Sequence, residues 1–218
     1  MINLEQARFN MVEQQIRPWD VLDQNILDLL FEVHREDFAP AAVRPLAFVD
    51  MEIPLGHGEV MLAPKLEARM LQELGVQESD KILEVGTGSG YMTALLARLG
   101  QHAYSVEITP ELSNDAARKL RAHGINNVTL DIGDAARGWE RHGPYDVIVL
   151  TGSTPVLPEA FQQSLKPGGR LFAVVGDAPV MQAKLVTCVA QGTYQTACLF
   201  ETCIPPLHHA LQPQRFVF

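Results

Sequence analysis

The stretch Ile82-Leu83-Glu84-Val85-Gly86-Thr87-Gly88-Ser89-Gly90 constrains this chain more than any other. An apolar run breaks into alternating glycines, and a helix-compatible segment follows from Tyr91. That order reads as a buried strand, a tight turn and the start of a helix. A turn without Cβ atoms lets backbone N–H groups come close to a ligand. The spacing is G-x-G-x-G. The dinucleotide fingerprint G-x-G-x-x-G would place its third glycine at position 91, where Tyr91 stands. A strand-to-helix turn with no ligand is the plain alternative for this loop taken alone.

The residues downstream repeat the pattern. His102 to Glu107 is a short apolar segment ending in a carboxylate, and Glu107 lies 21 residues after Gly86. An acid at that distance can accept hydrogen bonds from ribose hydroxyls. Thr109, Pro110 and Glu111 suit a helix start, and Gly124 suits its end. Asn127 to Ile132 is the next strand, followed by Gly133-Asp134, where an acid can face an adenine amino group. Tyr145 to Leu150 precedes Thr151-Gly152-Ser153, and the turn Lys166 to Arg170 leads into Leu171 to Val175. Alternating strands and helices with near-continuous apolar strands predict a parallel sheet covered on both faces. Lys184 to Ala190 and Gln195 to Cys203, flanking Gly192, read as a closing antiparallel hairpin that completes seven strands.

Ligands in such sheets sit at the carboxyl ends of the strands. The acid Glu84, two places before the first glycine of this spacing, is similar to the loop of S-adenosylmethionine (SAM) methyltransferases. The expected fold class is therefore α/β, Rossmann-like, with a seven-stranded mostly parallel sheet, helices on both faces and an N-terminal helical extension. The expected SAM contacts are Glu84, Gly86, Thr87, Gly88, Ser89, Gly90, Glu107, Asp134 and Thr151. Glu107 and Asp134 taken singly read equally as solvated loop carboxylates. Glu84 sits within an apolar strand, where an unpaired charge is costly, so it serves either the ligand's amino group or the loop backbone.

A chain of 218 residues with 47% hydrophobic side chains can bury a full core. The formal charge of −9 and the lack of a basic run argue against a nucleic-acid surface. Cys188, Cys198 and Cys203 make no C-x-x-C pair, so neither a metal site nor a disulfide framework is expected. A reducing compartment is the simplest reading. No apolar run reaches transmembrane length, and the acidic N-terminus does not read as a signal peptide. A cytoplasmic protein is expected, without nucleic-acid or membrane partners.

Residues 1–78 differ in character from the nucleotide core expected over 79–218. Leu4 to Ile16 predicts a helix that Arg17-Pro18 interrupts. Asp23 predicts a cap for a second helix through Val33, with Ile26, Leu29 and Leu30 on one face. Arg35 to Pro54 reads as irregular chain, and Lys65 to Leu74 as a helix. The glycine-bracketed segment Pro54 to Pro64 is placed to cover the ligand. Its His57 is the candidate general base; a histidine held by backbone hydrogen bonds is the plainer reading. His208-His209 is a weaker metal candidate, with no third ligand spaced to join it. The final segment, with Pro205, Pro206 and Pro213 and ending Arg215-Phe216-Val217-Phe218, suits packing on the core or on a partner subunit.

Several of these segments resemble the protein-L-isoaspartate O-methyltransferases. Arg35 to Pro40, Ile53-Pro54-Leu55-Gly56-His57-Gly58, Leu83 to Tyr91 (LEVGTGSGY), Gly143 to Thr151 and Leu165 to Leu171 carry the resemblance. It runs from about Asp23 to Val175. In that family Gly-His-Gly is followed by Gln-Thr-Ile-Ser-Gln-Pro, whose hydroxyls surround substrate and cofactor. Here Glu59, Val60, Met61, Leu62, Ala63 and Pro64 follow. The family serine position is Leu62 and the threonine position Val60, neither able to hydrogen-bond.

The resemblance implies SAM as cofactor and a protein or peptide carboxylate as methyl acceptor. The family reaction makes a methyl ester at a damaged aspartyl residue, which collapses to a succinimide. A carboxylate acceptor with pKa ~4 is already ionised at neutral pH, so no general base is required. His57 and Leu62, within Gly56 to Leu62, are the acceptor-side candidates. Two other readings share the fold: a paralogue acting on another acceptor through the apolar loop at Leu62, and a SAM-binding protein without turnover.

Overall fold

The computed structural model describes residues 3–213. Its centre is a seven-stranded sheet in the order β5-β4-β3-β6-β7-β8-β9. The strands are β3 (Lys81–Val85), β4 (His102–Glu107), β5 (Val128–Ile132), β6 (Tyr145–Leu150), β7 (Leu165–Asp177), β8 (Val180–Ala190) and β9 (Thr193–Glu201). The first five pair in parallel, and β7-β8-β9 form an antiparallel meander. The expected mixed sheet is thus present. The last three strands are longer or shifted relative to the sequence reading, because Lys166–Arg170 lies within β7 and not in a turn before it.

Side-chain alternation sends neighbours to opposite faces. Ile82, Val147, Val149, Phe172 and Val174 enter one apolar cluster, while Leu83, Val85, Ile148, Leu150 and Leu171 enter the other. Helices cover both. The first cluster takes Leu66, Met70 and Leu74 from α3 (Pro64–Leu74), Leu95 and Leu96 from α4 (Tyr91–Leu99) and Leu120 from α5 (Pro110–Ala122). The second takes Phe161 from α6 (Glu159–Gln163). Fully buried side chains of this kind each contribute about 1.5–3 kcal/mol.

The N-terminal residues join the first cluster through Met11, Ile16, Leu27 and Leu30. α1 spans Leu4–Met11; the chain then widens into a π-helical turn at Val12–Ile16 and tightens at Arg17–Trp19, so the expected Leu4–Ile16 helix is not uniform. α2 (Gln24–Glu32) is capped by Asp23, whose side chain accepts from the Asn25 amide at 2.9 Å. The stretch expected to be irregular carries 3-10 turns at Arg35–Asp37 and Ala41–Phe48. The segment Pro54 to Pro64 is not a bare loop: β1 (Ile53–Gly56) and β2 (Glu59–Met61) make a small hairpin. No helix among the described residues is long and apolar enough to cross a membrane. Of the final segment, Pro205 and Leu207 bond the Ser153 backbone, and residues 214–218 lie outside the described residues.

Candidate active site

The sheet reverses its winding between β3 and β6: β4 and β5 lie to one side, β6 and β7 to the other. Chains leaving two such strands diverge and open a crevice. The Thr151 amide bonds the Val85 carbonyl at 3.0 Å, and its Oγ1 donates to the Val85 and Gly86 carbonyls at 2.9 and 2.8 Å. Gly86 has φ +96°, and a Cβ there would overlap Thr151 Oγ1. The glycine is required by both its conformation and this contact.

Glu107 closes the next strand. Its Oε2 accepts from the Gly88 amide at 2.8 Å and its Oε1 from the Thr109 amide at 3.0 Å. Thr109 occupies the start of α5 but caps nothing with its own side chain. The Thr109 amide itself is held by the Glu107 carboxylate, two residues earlier at the end of β4. Asp134, after β5, accepts from the Ala136 amide at 3.0 Å and contacts His209 Nδ1 at 2.8 Å. Burial pushes its carboxyl up, but the Ala136 amide and His209 outweigh that and hold it below the ordinary carboxylate value.

These groups line one cavity, with roughly 850 Å³ of non-atom space counting its open mouth. Gly86, Thr87, Gly88, Ser89, Glu107, Asp134, Thr151 and Leu62 all face it. Three expected residues do not. Gly90 (φ +84°) instead lets α4 and α5 approach, a Cβ there standing 2.9 Å from Ala116 Cβ. His57 is exposed at the hairpin turn with φ +56°, outside the lining. Glu84 is 0% exposed beneath the loop, also outside the lining.

Glu84 anchors the loop from below. Ser105 Oγ donates to its Oε2 at 2.6 Å, Thr93 Oγ1 donates to the same oxygen, and Ser105 meets Thr87 Oγ1 at 2.6 Å. Oε1 has no partner among the described residues. Burial pushes the Glu84 carboxyl up to about 8, against the opposing effect of these two hydroxyls. The carboxyl is therefore largely protonated at neutral pH, the form best suited to an apolar strand.

Beside Leu62 the cavity holds an acid that sequence patterns did not single out. Glu67 of α3 lines the cavity and is paired with Arg35, which also donates to the Ala47 and Leu62 carbonyls. Burial pushes Glu67 up to about 7, with Arg35 pulling the other way. Glu59, Val60 and Met61 come from β2. The far wall is the chain after β9, Pro205 to His208. Ser153 exchanges backbone bonds with it: the Leu207 amide donates to the Ser153 carbonyl and the Ser153 amide to the Pro205 carbonyl, each at 2.9 Å. His208 Nε2 lies 2.5 Å from Glu59 Oε1. The His208-His209 pair thus meets two separate carboxylates, Glu59 and Asp134. The Pro205-Pro206 pair, a few residues after the edge strand β9, is the sequence signal that the chain leaves the sheet here.

Comparison with known proteins gives this geometry its context. The sequence model of the protein-L-isoaspartate(D-aspartate) O-methyltransferase (PCMT) family matches residues 6–205, so Pro206 to His208 lie just beyond the matched stretch. The protein-L-isoaspartate O-methyltransferase of Protochlamydia amoebophila is 39% identical over 76% of this chain and 79% of its own. That of Opitutus terrae is 38% identical over 98% of this chain and 88% of its own. A Plasmodium falciparum protein assigned to the same enzymes, crystallised with S-adenosyl-L-homocysteine, shares the fold with a TM-score of 0.80 at 18% identity, covering 95% of this chain and 99% of that one. A family match over nearly the whole length, with the glycine loop and strand-end acids around one cavity, shows that this chain belongs to the protein-L-isoaspartate(D-aspartate) O-methyltransferase family.

Proposed function

We propose that this chain is a SAM-dependent O-methyltransferase that esterifies the free carboxylate of L-isoaspartyl residues in proteins and peptides. The observation that carries the reading is the Glu107 carboxylate, 4% exposed and fixed by the Gly88 and Thr109 amides at the edge of a glycine-lined cavity. Each of its oxygens keeps a lone pair after those bonds, which suits two adjacent ribose hydroxyls. Gly133 lines the same cavity, and the Trp139 indole packed against it leaves no room for a Cβ, which would come 2.7 Å from the ring. Asp134, held in its ionised form, suits an exocyclic amino group. The residues present therefore fit SAM, with Gly86 to Ser89 along its amino-acid portion and Glu107 and Asp134 on its sugar and base.

SAM, when bound, supplies a methyl group on a sulfonium with a good leaving group. The chain's task is alignment and exclusion of water from an already ionised acceptor. No general base is needed, in keeping with the position of His57 away from the cavity. Leu62, 5% exposed, and Met61, 2% exposed, supply a dry wall at the acceptor end. Three free cysteines favour a reducing compartment, which we take to be the cytoplasm.

A second reading, methyl transfer to another acceptor, is favoured by the apolar residues Val60 and Leu62 at the family's hydroxyl positions. One assay separates the two: labelled methyl transfer from SAM to an isoaspartyl peptide and, in parallel, to a cell extract. Labelled peptide supports the first reading; label in the extract alone supports the second.

A further inference from the structure

We propose that the His208 imidazole receives the acceptor carboxylate, in place of the hydroxyl that Val60 and Leu62 do not supply. This rests on the isoaspartyl reading above. The cavity's ionisable lining consists of Glu59, Glu67, Glu107, Asp134 and His208; among the described residues no Lys or Arg faces it. An anionic acceptor therefore enters a site already carrying several carboxyl groups. The nearby Arg35 guanidinium is 1% exposed and committed to Glu67 and to the Ala47 and Leu62 carbonyls. His208 is the remaining side chain in the lining that can carry positive charge.

The tail fixes this ring in place. Leu207, just before it, is anchored to Ser153 by a 2.9 Å backbone bond, and His208 Nε2 is held by Glu59 Oε1 at 2.5 Å. His208 Nδ1 has no hydrogen-bond partner among the described residues. The side chain is 54% exposed, so a peptide arriving from solvent reaches it without displacing the core. The ring is thus tethered at one nitrogen and open at the other.

The chemistry sets a condition. An imidazole that donates from Nε2 to Glu59 also donates from Nδ1 only as the imidazolium. The acceptor carboxylate therefore binds together with that proton, as a charge-assisted hydrogen bond. The groups around the ring are Glu59 on β2 and the neighbouring His209, its ring 6.4 Å away and bonded to its own partner Asp134; Glu67 on α3 lines the same cavity and is paired with Arg35. Glu59 balances the imidazolium, and His209 is occupied by Asp134.

The test is calorimetric binding of an isoaspartyl hexapeptide to the full chain with S-adenosyl-L-homocysteine present, alongside methyl-transfer kinetics. His208→Ala is expected to weaken peptide binding and raise KM roughly 10- to 100-fold, the loss typical of a charge-assisted bond. Its S-adenosyl-L-homocysteine affinity should stay within about twofold, which also reports that the variant is folded. Glu59→Gln, which leaves the tail sequence intact, should weaken peptide binding in the same direction. Adding Leu62→Ser to His208→Ala should recover part of the loss. Peptide affinity and KM within twofold of wild type in His208→Ala would overturn the role of His208. Wild-type protein that binds S-adenosyl-L-homocysteine but neither binds nor methylates the peptide would overturn the underlying isoaspartyl reading itself.

Discussion

Gly88 and Glu107 are joined by a 2.8 Å hydrogen bond from the glycine amide to the carboxylate. The loop after β3 and the acid at the end of β4 are therefore one unit: each fixes the other before any ligand arrives. Such preorganisation lowers the cost of ordering the site on binding.

Replacing Glu107 with Gln tests this unit. A carboxamide can accept at one atom only, so either the Gly88 or the Thr109 amide loses its partner. We expect S-adenosyl-L-homocysteine affinity to fall roughly 10- to 100-fold, with a stability loss of about 1–3 kcal/mol. Calorimetry and urea unfolding read the two effects separately.

Gly88→Val probes the cradle. Gly88 has φ +51°, and a Cβ there would stand 3.3 Å from Leu55 Cδ1 on the hairpin. Valine is strained in that conformation and fills the space beside the loop. The expected result is loss of measurable S-adenosyl-L-homocysteine binding in a protein that still unfolds cooperatively, at a stability cost of about 1–3 kcal/mol. Calorimetric affinity equal to wild type would count against the assigned cavity.

Leu62→Ser exchanges packing for a hydroxyl. Leu62 is 5% exposed, so the truncation costs about 2–5 kcal/mol of stability, in the range of large-to-small core changes. If the family serine acts on the acceptor, kcat/KM for an isoaspartyl peptide rises despite that cost. A thermal melt and steady-state kinetics on one preparation measure both.

Glu84 makes stability depend on pH. Its carboxyl titrates near 8 in the folded chain against an ordinary value of 4.5, so the folded state holds the extra proton between those values. The stability it confers is complete below the lower value and is lost as pH rises through about 8. Glu67, pushed up to about 7, acts in the same direction. Glu84→Gln mimics the protonated form, so its unfolding free energy should decline less steeply between pH 6 and roughly 9 than that of wild type. Equal slopes in urea unfolding would show that Glu84 is not protonated in the folded chain.

Much of this architecture was legible from local pattern. The glycines after β3, the acids Glu107 and Asp134 after the next strands, and the Asp23 cap each express a rule acting over a few residues. The carboxyl-end rule for parallel sheets then brings distant positions together. What escaped depends on long-range contact. Sequence position leaves Glu84 open between the ligand's amino group and the loop, and its partners Ser105 and Thr93 reach it from β4 and α4. Glu67 reads as one polar residue on an amphipathic helix until Arg35 is seen beside it. His208 faces Glu59 across 149 residues of sequence, a separation that no periodicity reports. The hairpin Ile53 to Met61 escaped because its turn is built from Gly56, His57 and Gly58, which read equally well as open loop.

The central claim is that this cavity aligns the methyl donor with an isoaspartyl carboxylate. Its most direct test uses two peptides of identical sequence that differ only in an L-isoaspartyl or an L-aspartyl linkage, each incubated with wild-type protein and methyl-labelled SAM. The account predicts base-labile label on the isoaspartyl peptide and background on its partner. Equal labelling of the two, or background on both from protein that binds S-adenosyl-L-homocysteine, would contradict it.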